Sequence, residues 1–354
     1  MTDVDIAVIG LGLAGSATTW ALTGRGRSVT AFEAFAPGHQ RGSSHGHSRI
    51  FRRAYPDPFY VDLTGRAREL WRHLEDASGE RLITPTGGLD HGEVGRPAKM
   101  AEVLATAGVP AEMIEPDAAR ERWPGLAFSG PVLFHPEAGV IDPDRAVAAM
   151  IRLASASGAN VSYEEPVTAL ERDGDDVRLH TKRESWRART VVVAVGGWTA
   201  PLLSELVELP LLKVTQEQAF FFRPYEPGPW PTFIHLDHAI YGLPEGDLVK
   251  LGEHHRGKQT TANTRDGAVD PAARERVTAY VRQWAPGLDP IPEAELTCLY
   301  TTTKNEDFII DRRGPIVVCS ACSGHGAKFA PLVGELVADL VAGRPPLPRF
   351  ALPT

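Results

Sequence analysis

Residues 10–15 read Gly10-Leu-Gly12-Leu-Ala-Gly15, and this spacing limits what the start of the chain can become. A strand-like run, Asp5-Ile-Ala-Val-Ile-Gly10, precedes it, a helical pattern over Gly12–Thr23 follows, and Ser28–Glu33 reads as a second strand. In such a strand–turn–helix unit the first glycine permits the tight turn. The second lets the backbone approach a pyrophosphate, and the third lets the helix pack on the strand. The helix N-terminus then offers unpaired N–H groups to phosphate. Glu33, 18 residues beyond Gly15, ends the second strand where an acid accepts a ribose hydroxyl and disfavours a 2′-phosphate. The glycine spacing alone is weak, since a Gly-rich turn needs no ligand; its context carries the dinucleotide reading. It does not separate FAD from NAD.

The rest of the chain supplies the partners of that unit. A helix is predicted over Phe59–Leu74, with Leu63, Ala67, Leu70, Trp71 and Leu74 on one face. Asp142-Pro143 opens another that runs to about Ser157, with Asp as N-cap and Pro at the first helical position. Asn160–Tyr163, Val167–Arg172 and Val177–His180 read as short strands, and Thr190–Val195 as a strand buried on both faces. From Leu211 to about Gly252 the alternation and the aromatic and β-branched content predict an antiparallel sheet. A helix at Pro271–Trp284, a buried strand at Ile316–Ser320 and a helix at Phe329–Ala342 complete the reading. The fold class is therefore mixed α/β. A Rossmann-type domain of residues 1–80, 145–210 and 296–354 is interleaved with a substrate domain of residues 81–144 and 211–295, built on an antiparallel sheet.

Composition removes several classes. With 37 basic and 45 acidic residues among 354, the net charge of −8 argues against a broad nucleic-acid or anionic-membrane surface, while leaving room for a local basic pocket. No uninterrupted apolar run approaches a membrane span, and with no basic, then apolar stretch before the first strand a secretory signal is not expected. Three cysteines, Cys298, Cys319 and Cys322, do not read as a disulfide framework, so a cytoplasmic location is expected. Cys319-x-x-Cys322 has no second pair, and His45-Gly-His47 and His254-His255 lack a full ligand set, so no metal is expected.

Residues 42–55, Gly-Ser-Ser-His45-Gly-His-Ser-Arg49-Ile-Phe-Arg52-Arg-Ala-Tyr55, closely resemble the segment after the second strand in the monomeric sarcosine oxidase and N-methyltryptophan oxidase family, which are D-amino-acid-oxidase-like flavoproteins. Three further blocks resemble the same family in the same order. They are Ile240-Tyr241-Gly-Leu-Pro244 with Val249-Lys250-Leu-Gly-Glu-His254, Thr297-Cys298-Leu-Tyr300-Thr with Asn305–Asp311, and Cys322-Ser-Gly324-His325-Gly326-Ala-Lys328-Phe329. The resemblance covers essentially the whole chain and selects FAD over NAD.

The resemblance also implies roles. Cys298 would attach FAD through a thioether, and Lys250 would be the oxygen-activating cation, although a strand lysine among Leu248, Val249 and Leu251 more often faces solvent. Arg52 and Lys328 would bind the substrate carboxylate, the guanidinium as a fork and the ammonium as a compact charge. Tyr241 and His325 would line the substrate cavity. His45, His254 and Arg49 would tune the flavin environment, with Ser43, Ser44, Val167, Gly324, Gly326 and Lys328 among the cofactor contacts. The implied reaction is oxidation of the C–N bond of an N-substituted amino acid. The imine product hydrolyses, oxygen becomes hydrogen peroxide, and the enzyme works as a monomer.

Departures from the family sit near the substrate. The chain reads Ser-Ser-His-Gly-His-Ser-Arg where close members read Ser-His-His-Gly-Asp-Thr-Arg. It also has Arg53 for His, Ala327 for Phe and Ile234 at a methionine position. They point to a larger pocket, for a long N-alkyl glycine or a cyclic imino acid. A glycine-oxidase-like activity on a primary amino acid and a flavin-binding subunit without oxidase activity are the alternatives.

Overall fold

The computed structural model describes residues 2–92 and 95–353. The strands Ile316–Ser320, Ser185–Val193, Thr2–Ile9, Val29–Phe32 and Asn160–Ser162 lie side by side in parallel, in that order. Antiparallel strands Val167–Asp173 and Asp176–Thr181 extend one side of this sheet, and Ile309–Arg313 pairs with Ile316–Ser320. Both faces of the parallel centre are covered, which is why Ile6, Ala7, Val8, Val191, Val192 and Val193 are fully buried and the sequence there is continuously apolar. The predicted Thr190–Val195 strand begins earlier, at Ser185, because its polar half pairs with Asp176–Thr181 at the edge.

The helix Leu13–Gly24 starts one residue later than read, with Gly12 as its N-cap. No side chain of Gly12 is available for capping, so Ser44 Oγ accepts from the Leu13 N–H at 3.1 Å, 31 residues away in the chain. Gly10 has φ +87°, a conformation that glycine adopts freely. At Gly15 an added Cβ would stand 1.7 Å from the Gly10 carbonyl oxygen. Replacing Gly15 by Ala should therefore lower Tm by roughly 5 °C or more. Gly24→Ala in the same helix meets nothing within 4 Å and should be neutral or slightly stabilising; thermal melts of the two variants test this contrast.

The second sheet is larger and less uniform than the sequence implies. Lys213–Phe222, Leu248–Glu253, Ile240–Glu245 and Thr232–His235 are antiparallel neighbours, as expected. Thr232–His235 then pairs in parallel with Gly88–His91, and the sheet continues through Val132–His135 to Glu112–Ile114. Ala294–Thr302 pairs with Lys213–Phe222 along nine residues, from Lys213↔Thr302 to Phe221↔Ala294. Residues 296–302, grouped by sequence with the nucleotide-binding segments, thus belong to a strand of the second sheet. A small antiparallel sheet of Arg49–Phe51, Gly139–Ile141 and Ile83–Pro85 has no counterpart in the sequence reading. It fixes the backbone of Arg49 and delivers Arg52 from its end.

Helices seal the assembly where periodicity placed them. Pro58–Ser78 extends beyond the predicted Phe59–Leu74 to a left-handed Gly79, and its Trp71 is fully buried with the indole N–H on the Lys328 carbonyl at 2.8 Å. Pro143–Ala156 has Asp142 as the predicted N-cap, accepting from the Arg145 N–H at 3.0 Å.

Candidate functional site

A cavity of about 1800 Å³ runs from the Gly10–Leu13 turn to the second sheet. Of the residues singled out from sequence, Gly10, Gly12, Glu33, Ser43, Ser44, Arg49, Arg52, Val167, Tyr241, Lys250, His254, Cys298, Gly324, His325, Gly326 and Lys328 all line it. Gly15 and His45 do not. Gly15 lies behind the turn against the Gly10 carbonyl. His45 is buried at 4 % exposure, with Nε2 lacking a hydrogen-bond partner among the described residues. Burial, with Arg49, Arg265 and Lys250 nearby, pushes its pKa down to about 4, so its ring is neutral.

At the turn, burial would favour a neutral Glu33, but its partners outweigh that effect and hold its pKa below the ordinary value. Its Oε2 accepts from the Leu11 N–H at 2.7 Å, and Oε1 accepts from the Phe35 N–H at 3.2 Å and faces His39 Nε2 at 3.3 Å. His39 also lines the cavity, and no sequence signal marked it. A Cβ at Gly12 would come within 3.0 Å of Ser44 Oγ. A glycine cradle, a helix N-terminus and a fixed carboxylate at this spacing fit the pyrophosphate and ribose of FAD.

Four of the cations that line the cavity are those singled out from sequence, and each is held differently. Arg49 donates to the carbonyls of Ser48 and Ser43, both at 2.7 Å. Arg52 donates to the Ala54 carbonyl and to Asp90 Oδ1 at 2.8 Å; Asp90 is fully buried and its other oxygen faces His135 Nε2 at 2.9 Å. Lys250 is 3 % exposed, so it is not the solvent-facing strand lysine that its neighbours alone allow. Its Nζ donates to the Ser48 carbonyl and to Glu245 Oε2, each at 3.0 Å. Lys328, 5 % exposed, donates to the His325 carbonyl at 2.8 Å. Burial, then the charge of Arg52, hold Lys328 well below the usual lysine pKa.

Arg52 and Lys328 come from distant parts of the chain, yet both lie over the Tyr55 ring, Cζ at 5.1 Å and Nζ at 5.6 Å from its centroid. The Tyr55 hydroxyl lies 3.1 Å from His325 Nδ1, while His325 Nε2 lies 3.0 Å from the Glu306 carbonyl. A carbonyl only accepts, so Nε2 carries the proton and Tyr55 donates to Nδ1. Burial, then Lys328, push the His325 pKa down to about 3, and the ring is neutral near pH 7. His254 is likewise held near 3 by burial and His255. Tyr55 belongs to a quoted motif but drew no role from sequence. Asp90 and Glu245, which hold two of the cations, carried no signal at all.

The remaining groups concern close approach and nucleophilicity. Cys298 lines the cavity on the Ala294–Thr302 strand; burial raises its thiol pKa, with Arg49 and Lys250 opposing. Cys322, which opens the last family-like block but draws no role of its own from sequence, also lines the cavity, its Sγ accepting from the Thr301 N–H at 3.4 Å. Gly324 has φ +75°, and a Cβ there would collide with Tyr300 at 2.6 Å and His254 at 2.8 Å. Tyr241 lies across Gly252, where a Cβ would meet its hydroxyl at 2.5 Å. No group of three or more metal-ligating side chains occurs among the described residues.

Residues 5–340 match the DAO family, described as FAD dependent oxidoreductase. The chain is 36 % identical to monomeric sarcosine oxidase of Streptomyces avermitilis, over 95 % of this chain and 93 % of that protein. It is 32 % identical to N-methyl-L-tryptophan oxidase of Yersinia pestis, over 97 % and 96 % respectively. Among solved structures it superposes on NikD, described as an unusual amino acid oxidase essential for nikkomycin biosynthesis. The TM-score is 0.87 at 27 % identity, covering 96 % of this chain and 94 % of that one.

Proposed function

This chain belongs to the DAO family of FAD dependent oxidoreductases, and on that premise we propose that it oxidises the C–N bond of an N-substituted amino acid with oxygen as acceptor. The observation that carries the substrate class is the pairing of Arg52 and Lys328 over one tyrosine ring inside the cavity. A guanidinium fork and an ammonium so arranged suit a carboxylate. When bound, FAD supplies the redox chemistry, accepting a hydride equivalent from the substrate carbon and passing electrons to oxygen. The chain's own residues bind, orient and set charge. Gly10, Gly12, Glu33 and Ser44 would hold the nucleotide, Arg52 and Lys328 the acid group, and Lys250 a positive charge where oxygen gains negative charge. Neutral His254 and His325 add no further cation beside them.

Two cavity-lining positions support a substrate with more bulk than an N-methyl group. Ala327 and Ile234 both face the cavity at positions where the family usually carries Phe and Met. A long N-alkyl glycine or a cyclic imino acid fits that reading. Anaerobic bleaching of the visible flavin spectrum by a panel of N-substituted amino acids, each paired with its decarboxylated amine, tests the proposal. Bleaching by acids but not amines is expected; equal bleaching by both would remove the carboxylate clamp.

Further parts of the reading are hydrogen peroxide as product, a monomeric working form and a cytoplasmic location. The name of the Streptomyces relative and the three unpaired cysteines support the last two. Cys298 is the proposed site of a thioether to the cofactor, supported by its place on the cavity wall beside Arg49 and Lys250. Acid precipitation should leave the yellow absorbance in the protein pellet, whereas Cys298→Ser should release it to the supernatant. Flavin that stays with the Cys298→Ser pellet would transfer the assignment to another residue.

A further inference from the structure

Lys250 is a buried cation of the cavity wall whose carboxylate partner, Glu245, is not among the residues that line it. The hairpin Ile240–Glu245 and Leu248–Glu253 turns on Gly246 and Asp247, with Gly246 at φ +64°. A two-residue turn fixes register, so Glu245 pairs with Leu248 and Lys250 with Leu243. Glu245 and Lys250 therefore share a sheet face as diagonal neighbours. Ser48, fully buried, closes the unit from the other side: its hydroxyl donates to Glu245 Oε2 and its carbonyl accepts from Lys250 at 3.0 Å. Two of the three N–H bonds of the ammonium are thus taken by the Ser48 carbonyl and Glu245, and among the described residues no third acceptor holds the remaining one, which is left for the cavity that Lys250 lines.

The surroundings explain why a counter-charge is needed. Arg49 approaches Lys250 from the strand Arg49–Phe51, His45 from the preceding loop and Cys298 from the strand Ala294–Thr302, while the Phe221 ring lies 5.7 Å from Nζ. Among the described residues only Glu245 brings a negative charge into hydrogen-bond contact with Lys250. Burial and Arg49 together lower the Lys250 pKa to about 8 even with Glu245 opposing them. Glu245 itself stays ionised: burial raises its pKa, but Lys250 and Ser48 more than reverse that.

We propose that Glu245 is a positioning residue for Lys250, keeping its ammonium charged and its free N–H turned into the cavity. The proposal rests on the reading of Lys250 as the cation beside which oxygen reacts. Two measurements on the flavin-loaded enzyme test it. The first is a ¹³C NMR titration of ε-labelled lysine in the resting protein, assigned by the signal lost in Lys250→Met. The second is the pH profile of reoxidation by oxygen after anaerobic reduction.

In the wild type the charged form, and with it fast reoxidation, is lost as pH rises through about 8. Glu245→Gln should move both midpoints down by about one pH unit or more, because an opposite charge has been removed. Glu245→Asp, which keeps the charge, should retain most of the wild-type profile. Unmoved NMR and kinetic midpoints in Glu245→Gln, with Lys250→Met still slow, would overturn the role of Glu245 alone. If Lys250→Met reoxidises at the wild-type rate, the functional reading of Lys250 fails, and the NMR titration by itself decides whether Glu245 holds it charged.

Discussion

Lys250→Met should slow reoxidation of the reduced enzyme by oxygen by about 10²- to 10³-fold while changing reduction by substrate much less. At 3 % exposure Lys250 is shielded from water, so its charge acts on the cavity with little screening. Met has similar length and can take the place of the Lys250 side chain beside Phe221 and Ser48. Loss of the ammonium strips Glu245 of its ion pair, and removing one member of a buried pair typically costs about 3–5 kcal/mol. The cost here should fall below that range, because Glu245 is 17 % exposed and keeps its bond from Ser48. The double variant Lys250→Met with Glu245→Gln removes the orphaned charge and should recover thermal stability. Stopped-flow traces of both half-reactions decide the matter. Reoxidation that recovers along with stability in the double variant would mean that the single variant was slow through misfolding and not through a missing charge.

Much of this arrangement was legible because it follows from local rules. Alternation and apolar runs located the parallel strands, and Asp142-Pro143 marked a helix start whose Asp side chain does accept from the first turn. The Gly10–Gly15 turn declared itself through contacts that only a missing Cβ permits. Motifs placed the four cations and Cys298 on one cavity because each block is short and its order is kept. What stayed hidden was non-local. Asp90 reaches Arg52 only because Gly88–His91 pairs in parallel with Thr232–His235, a pairing that no pattern inside residues 211–252 announces. Glu245 looks like an ordinary residue before a hairpin turn until Ser48, 197 residues away, is folded against it. Tyr55 could be read as part of a motif, but its ring beneath two cations depends on the helix Pro58–Ser78 holding the Lys328 carbonyl through Trp71. Sequence marked the groups that face the cavity more readily than those that hold them.

Arg52→Met should lower kcat/KM for an N-substituted amino acid by about 10³-fold, and Lys328→Met by a smaller factor. The asymmetry comes from what each cation leaves behind. Arg52 is tied to Asp90, which is fully buried and among the described residues has only His135 as its other side-chain partner. Removing the guanidinium takes away the carboxylate fork and also leaves an uncompensated anion near the place where the substrate's own carboxylate must sit. Leaving such a charge unpaired typically costs about 3–5 kcal/mol, and that repulsion adds to the lost attraction. Among the described residues Lys328 has no carboxylate in hydrogen-bond contact, only the His325 carbonyl at 2.8 Å. Burial and Arg52 already disfavour its charged form, so its ammonium is best stabilised when an anion arrives, and its loss strands no counter-ion. Asp90→Asn added to Arg52→Met should therefore restore part of the lost kcat/KM, although no cation returns. The comparison must use each acid beside its primary amide. Both single variants should lose far more on the acid than on the amide, and the rescue by Asp90→Asn should be confined to the acid. A loss of equal size on acid and amide would show that Arg52 shapes the cavity without binding the carboxylate.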